Sequence, residues 1–276
     1  MKTPFYSIIK YFFEHLGLEV RKKDLRAVRH TLRGTLEHAK ELGFNPHTVI
    51  DVGVARGTFE LYETFPDARH LLIEPLEENR PYLEKIVNGL KNAEYVIAAA
   101  TKEAGTVTFN VHPDFDGSSL YLESEDSDVN GVPRTVPAIT LDDLGEEHNV
   151  HGPILIKIDV QGAELDVLDG AIQLLHAAEY IILEASLFKF FVHGPELYDA
   201  MVFMKERGFV LYDMLGYSYR LSDGAMSQVD LVFVRENGMF RKNHSYATRG
   251  QREAQNKMFA LGAYGGGRNY ESVPKN

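Results

Sequence analysis

The chain has 276 residues, 44% of them apolar, no cysteine and a net charge of −11. That length suits one large domain or two small ones, and the missing thiols exclude disulfides and thiolate metal sites. Residues 1–45 carry nine Lys/Arg against five Asp/Glu and residues 241–276 seven against two, which leaves about −20 on the middle, an acidic body that argues against nucleic acid and for a neutral or cationic small molecule.

From the N-terminus, Phe5, Ile8, Ile9, Phe12, Phe13 and Leu16 recur at helical spacing. The apolar face of this helix is expected to pack on the body of the protein. A dimer contact is the lesser alternative, so a homo-oligomer stays open. "MKTPFYSIIKYFF" is broken by Lys10 and lacks a small-residue cleavage site, so it does not read as a signal peptide. No apolar run approaches the roughly 18–20 residues of a membrane span. A cytoplasmic location is the expectation from these missing signals. A second helical pattern runs from Leu25 to Leu42 and is stopped by Gly43 and Pro46. Residues 1–45 therefore read as an N-terminal helical extension.

"TVIDVGVARG" then reads as a strand and a glycine turn, "TFELYETFP" as a short helix and "RHLLIEP" as a second strand. "LEENRPYLEKIVNGL" is a helix, "AEYVIAAAT" a third strand and "GTVTFNV" a further one. Residues 112–135 are polar and loop-like, long enough to suggest a lid. "VPAITLDDL" is a short extended piece running into a turn. "ILIKIDV" is a strand, followed by a helix from Ala163 to His176, the strand "AEYIILEAS" and a helix ending at Gly208. "FVLYDML" and "QVDLVFVRE" close the pattern as neighbouring antiparallel strands. From Asn237 the pattern fades into a basic, Gly-rich tail, 237–276. Alternating strands and helices over 46–236 predict a sheet with helices on both faces, whose ligands bind outside the carboxyl ends of the strands.

Those strand ends carry the candidate chemistry. Asp51, Gly53 and Gly57 form D-x-G-x-x-x-G at the end of the first strand, and Glu74 ends the second. Glycine lets a ligand approach the backbone, and an acid in Glu74's place suits the two hydroxyls of a ribose. The spacing departs from the G-x-G-x-x-G dinucleotide fingerprint, which keeps a nicotinamide-dependent oxidoreductase as a rival. Lys157 and Asp159 end "ILIKIDV" on one face of the strand. A buried lysine calls for a partner, and Asp159 or Glu184 supplies it; a structural ion pair is the plainer reading. Asp159 and Glu184 together can position a hydroxyl and take its proton. A magnesium ion held by both is the variant reading. His193 is a candidate base beside a plain loop histidine. Glu164, in the first turn of the next helix, reads as an acid serving the helix dipole. His148 and His151 read as solvated loop residues.

"VIDVGVARGTF", "LLIEPLEEN", "GSSL", "TLDDL" and, most specifically, "KIDVQGAELDVLDGA" resemble the FkbM-type methyltransferases. The resemblance extends over about residues 48–236. It implies the class I methyltransferase fold, with a seven-stranded sheet in order 3-2-1-4-5-7-6 and its last strand antiparallel. It also implies S-adenosylmethionine as cofactor and methyl transfer to a hydroxyl of a sugar or secondary metabolite. By this resemblance Gly53 and Gly57 would approach the methionine part of the cofactor, Glu74 its ribose and Ala98–Ala99 its adenine. Ser118 and Ser119, in "GSSL", would join that site, and Asp159 would lie beside the sulfonium. The third strand runs into "AAAT", where the wider superfamily often has an Asp or Asn for the adenine amine, so backbone or apolar contacts must serve here. A non-catalytic binding protein on the same fold is the further alternative.

Overall fold

The computed structural model describes residues 29–124 and 129–260. The expected N-terminal helix, the first residues of the second helical pattern and the end of the tail lie outside them.

The strands are β1 (Thr48–Val52), β2 (Arg69–Glu74), β3 (Ala93–Ile97), β4 (Ala99–Ala100), β5 (Gly105–Val111), β6 (Val132–Ile139), β7 (Ile154–Ile158), β8 (Ala178–Ser186), β9 (Phe209–Leu215) and β10 (Gln228–Arg235). Seven of them form one sheet in the order β3-β2-β1-β7-β8-β10-β9. Counted along the chain within that sheet, this is 3-2-1-4-5-7-6. β10 runs antiparallel to both neighbours, and the other pairings are parallel. The architecture is the Rossmann-like sheet of class I methyltransferases.

The central strands are apolar along their whole length because both faces are covered. Ile50, Ile156, Leu183 and Leu231 point to one face, beneath α4 (Leu141–Glu147), α5 (Glu164–Asp169) and α6 (Leu197–Glu206). Val49, Leu155, Ile182 and Val232 point to the other, beneath α1 (Leu32–Glu41), α2 (Phe59–Thr64) and α3 (Arg80–Gly89). The period-2 alternation that places Val49 and Leu155 on this second face puts Asp51 and Lys157 there too. "TLDDL" is a capping device. Thr140 Oγ1 accepts from the Asp143 N–H at the start of α4, while Asp142 accepts from the N–H groups of Gln173 and Leu174.

Several expectations change. The helix expected from Ala163 to His176 is α5, which ends at Asp169, followed by a separate 3-10 turn at Leu174–Ala177. "AEYVIAAAT" is not one strand. It breaks at Ala98, and β4 leaves the main sheet to join β6 and β5 in a second, three-stranded sheet. This sheet pairs "GTVTFNV" with "VPRTVPAI", so the polar stretch expected over 112–135 gives its last four residues to β6. Nor does the pattern fade at Asn237. Phe240 packs on Phe44, Tyr180 and Tyr212, and α7 spans Arg249–Ala260. Among the described residues no helix is long and apolar enough to cross a membrane.

Candidate active site

β1, β2 and β7 end together, and the chain after β1 turns sharply between them. The Gly53 N–H donates to the Ile73 carbonyl at 2.9 Å. Gly53 has φ +78°, and a Cβ there would lie 1.8 Å from the Asp159 carbonyl oxygen. Gly57 has φ +113° and leaves room for Ile86. These glycines let the ends of β1 and β7 touch and let the turn close over α3.

Glu74 holds the turn from the neighbouring strand. It is 3% exposed and accepts from the Ala55 N–H at 2.9 Å, the Leu76 N–H at 3.0 Å and Asn79 Nδ2 at 3.0 Å. Burial raises its carboxyl, and these three donors pull it back. Asn79 is a partner that no spacing in the sequence announces.

A cavity of about 360 Å³ opens beside the turn. Gly53–Thr58 and Glu74 line one side, and Leu76, Ala98, Ala99, Ala100 and Phe109 form an apolar end. Lys157, Asp159 and Gln161 lie on the side of β7, and Phe115, Asp116, Ser118 and Leu120 come from the polar loop. Arg56 faces Asp116 across the opening at 3.9 Å.

Most of the residues expected at the strand ends are brought to this cavity: Gly53, Gly57, Glu74, Ala98, Ala99, Ser118, Lys157 and Asp159. Four of the expected residues lie outside the cavity lining. Asp51 does not line the cavity. It is 1% exposed, accepts from Tyr62 Oη at 2.5 Å and Thr58 Oγ1 at 3.3 Å, and stands beside Lys157 in register. Its role is to brace the turn from below. Ser119 is turned away as well: its Oγ donates to the Gln161 carbonyl at 2.6 Å and accepts from the Tyr121 N–H at 2.9 Å. His193 is exposed and outside the cavity lining. Glu184 also stands outside the lining, one strand beyond Asp159, and reaches it only through Gln161.

The charged residues form a connected group. Lys157 Nζ donates to Asp159 Oδ2 at 3.1 Å, with the lysine side chain 12% exposed. Burial works against its charge, but Asp159 and Asp51 outweigh it and hold the ammonium above the ordinary lysine range. Gln161 Nε2 donates to Asp159 Oδ1 at 3.1 Å and to Glu184 Oε2 at 3.3 Å, and Gln228 Nε2 donates to Glu184 at 2.7 Å. Asp230 faces Glu184 across the β8–β10 pair. Burial, with Asp159 close by, pushes Glu184 up to about 9 and Asp230 to about 6. Glu164 departs from the dipole reading. It is buried, accepts from the N–H groups of Val160 and Gly162, and is pushed by desolvation to about 7. His148 is not a free loop residue either, since its Nδ1 meets Glu94 at 2.9 Å. Among the described residues no group of three or more His, Cys, Asp or Glu is arranged to hold a metal ion.

Residues 51–211 match the family model for the methyltransferase FkbM domain. The chain belongs to this family. The hexuronic acid methyltransferase AglP of Haloferax volcanii is 25% identical over 170 residues, covering 59% of this chain and 64% of AglP. Methyltransferase 1 of Beauveria bassiana is 28% identical over 143 residues, covering 44% of this chain and 57% of that protein. The matched region thus spans less than two thirds of either relative. The magnesium protoporphyrin IX methyltransferase ChlM of Synechocystis PCC 6803, solved with bound SAM, is 12% identical with a TM-score of 0.42, over 74% of this chain and 76% of that one.

Proposed function

We propose that this protein is an S-adenosylmethionine-dependent O-methyltransferase acting on a hydroxyl of a sugar or a related small molecule. The observation that carries the reading is one continuous cavity joining the glycine turn, the Glu74 carboxylate and Asp159 at the carboxyl ends of β1, β2 and β7. Its chemistry fits the cofactor from end to end. Leu76, Ala98, Ala99 and Phe109 offer an apolar slot for a flat base. Glu74 offers acceptor oxygens for a diol, and the Gly53–Gly57 backbone an open approach for an amino-acid part. Asp159 offers a negative charge for a sulfonium. The hexuronic acid named for the Haloferax relative agrees with a sugar acceptor.

When bound, the cofactor supplies an electrophilic methyl group. The protein's part is alignment of the acceptor and removal of its proton. Asp159 faces the cavity and is held by Lys157 and Gln161, so it is the group placed to take that proton. Glu184 keeps its own proton at neutral pH and acts as a hydrogen-bonding partner beside the site. The loop residues Phe115, Ser118 and Leu120 roof the cavity and limit access of water.

Calorimetric titration with S-adenosylmethionine, with NAD⁺ as control, tests this reading. Binding of the first alone is the expected result. Silence from S-adenosylmethionine in the folded protein sinks it, and binding of NAD⁺ instead replaces it with an oxidoreductase.

A further inference from the structure

The turn after β7 holds a residue whose backbone conformation the proposed function leaves unexplained. Gln161 has φ +55°, a conformation that L-residues with long side chains rarely adopt. The surrounding structure holds it there from three sides. Ser119 Oγ donates to its carbonyl at 2.6 Å. Glu164 Oε1 accepts from the flanking Val160 and Gly162 N–H groups at 3.3 and 3.0 Å. The Phe191 ring lies against Gly162, where an added Cβ would meet it at 2.5 Å. A sparsely populated backbone conformation held by so many contacts points to a function for the side chain it aims. That side chain lines the cavity and places its amide nitrogen between Asp159 and Glu184.

We infer that Gln161 is a positioning residue whose amide keeps the Asp159 and Glu184 carboxyls apart and aims Asp159 at the cavity. A neutral amide suits the place. Its two N–H bonds satisfy both acids at once, whereas without it the Glu184 carboxyl can donate directly to Asp159 and turn that charge away from the ligand. Ser119 acts one step further out, by fixing the backbone from which the amide projects. This inference rests on the proposed methyl-transfer reading, in which Asp159 meets the positive sulfonium.

The test compares S-adenosylmethionine with S-adenosylhomocysteine, which lacks the methyl group and the positive charge. Both are titrated into the wild-type protein and into the Gln161→Gly and Gln161→Asn variants, with the melting temperature of each variant measured alongside. Glycine and asparagine both accept positive φ, so the backbone is kept. Glycine removes the amide, and asparagine is one methylene too short to reach both acids. The expected result is homocysteine-ligand affinity within about twofold of wild type, with the preference for the sulfonium lowered by about fivefold or more in both variants. Equal weakening of both ligands, including loss of both, overturns the inference, because a merely structural residue acts without regard to ligand charge. An unchanged preference overturns it too. A wild-type protein that binds neither ligand overturns the methyl-transfer reading itself, and this inference with it.

Discussion

At the scale of single residues, the site depends on a few contacts with no tolerance. Gly53 is the sharpest case. Its missing side chain is what allows the turn after β1 to lie against the Asp159 carbonyl. Gly53→Ala adds a methyl carbon into backbone at a conformation alanine disfavours, a cost of about 3–5 kcal/mol. For a chain of this size, a melting temperature lower by roughly 10 °C follows; a change of only a degree or two would show that the turn can relax. In the proposed reading Asp159 carries the chemistry, held at the cavity's edge by Lys157 and Gln161. Asp159→Asn is expected to slow methyl transfer by at least about tenfold in protein that still folds, and to lower the melting temperature, because the buried Lys157 loses its nearest carboxylate. A near-wild-type rate removes the carboxylate from the mechanism.

At the scale of elements, the polar loop after β5 divides into two parts with different mechanical roles. Its second part is tied down. Ser119 and Asn110 exchange backbone hydrogen bonds, the Val192 N–H donates to Leu122 and the Ser124 N–H to Phe190. Tyr121 Oη adds a bond to Asp166 at 2.6 Å. Its first part, from His112 to Ser118, is held mainly by short-range bonds within itself, such as Phe115 N–H to His112, Ser118 N–H to Phe115 and His112 N–H to Ser118 Oγ, and meets the body through the exposed Arg56–Asp116 pair. That first part carries Phe115 and Asp116 into the cavity wall. Hydrogen exchange is therefore expected to show 119–124 slow in the free protein, with 113–118 fast and slowing on addition of S-adenosylmethionine. Fast exchange through 119–124, or no response in 113–118, contradicts this division.

For the whole molecule, the buried acids at one end of the sheet set the response to pH. Glu184, Glu164 and Asp230 are raised to about 9, 7 and 6, above the ordinary carboxyl value of about 4.3 in an unfolded chain. A folded-state pKa above the unfolded one means that the folded form binds the proton more tightly. The stability this contributes is fully present below about pH 4.3 and is lost as the pH rises through each folded value. Burial holds His38 and His70 below the ordinary histidine value, which acts in the opposite sense up to about pH 6.5, so the melting temperature is expected to fall between pH 7 and pH 9. A midpoint that climbs over that range contradicts the burial of these acids.

How much of this was legible in the sequence differs between fold and site. The sheet and its helices follow from alternation and from apolar runs such as ILIKIDV, because a strand buried on both faces must be apolar throughout. Glu74, Gly53, Gly57 and Asp159 were legible because they end strands, and strand ends in such sheets face one crevice. The sequence by itself therefore determined the α/β class, the end of the sheet that holds the site and the family to which the chain belongs. Only the tertiary structure decided which side chains at that end enter the cavity. Asp51 and Asp159 look equivalent in sequence, yet one braces the turn beneath Tyr62 and the other lines the cavity. Gln161 looks like a turn residue until Asp159 and Glu184, on neighbouring strands, are seen to meet at its amide. The physical reason is range: strand and helix patterns are set by neighbours a few residues apart, whereas the direction of a polar side chain is set by partners distant along the chain, 44 residues apart for Glu184 and Gln228.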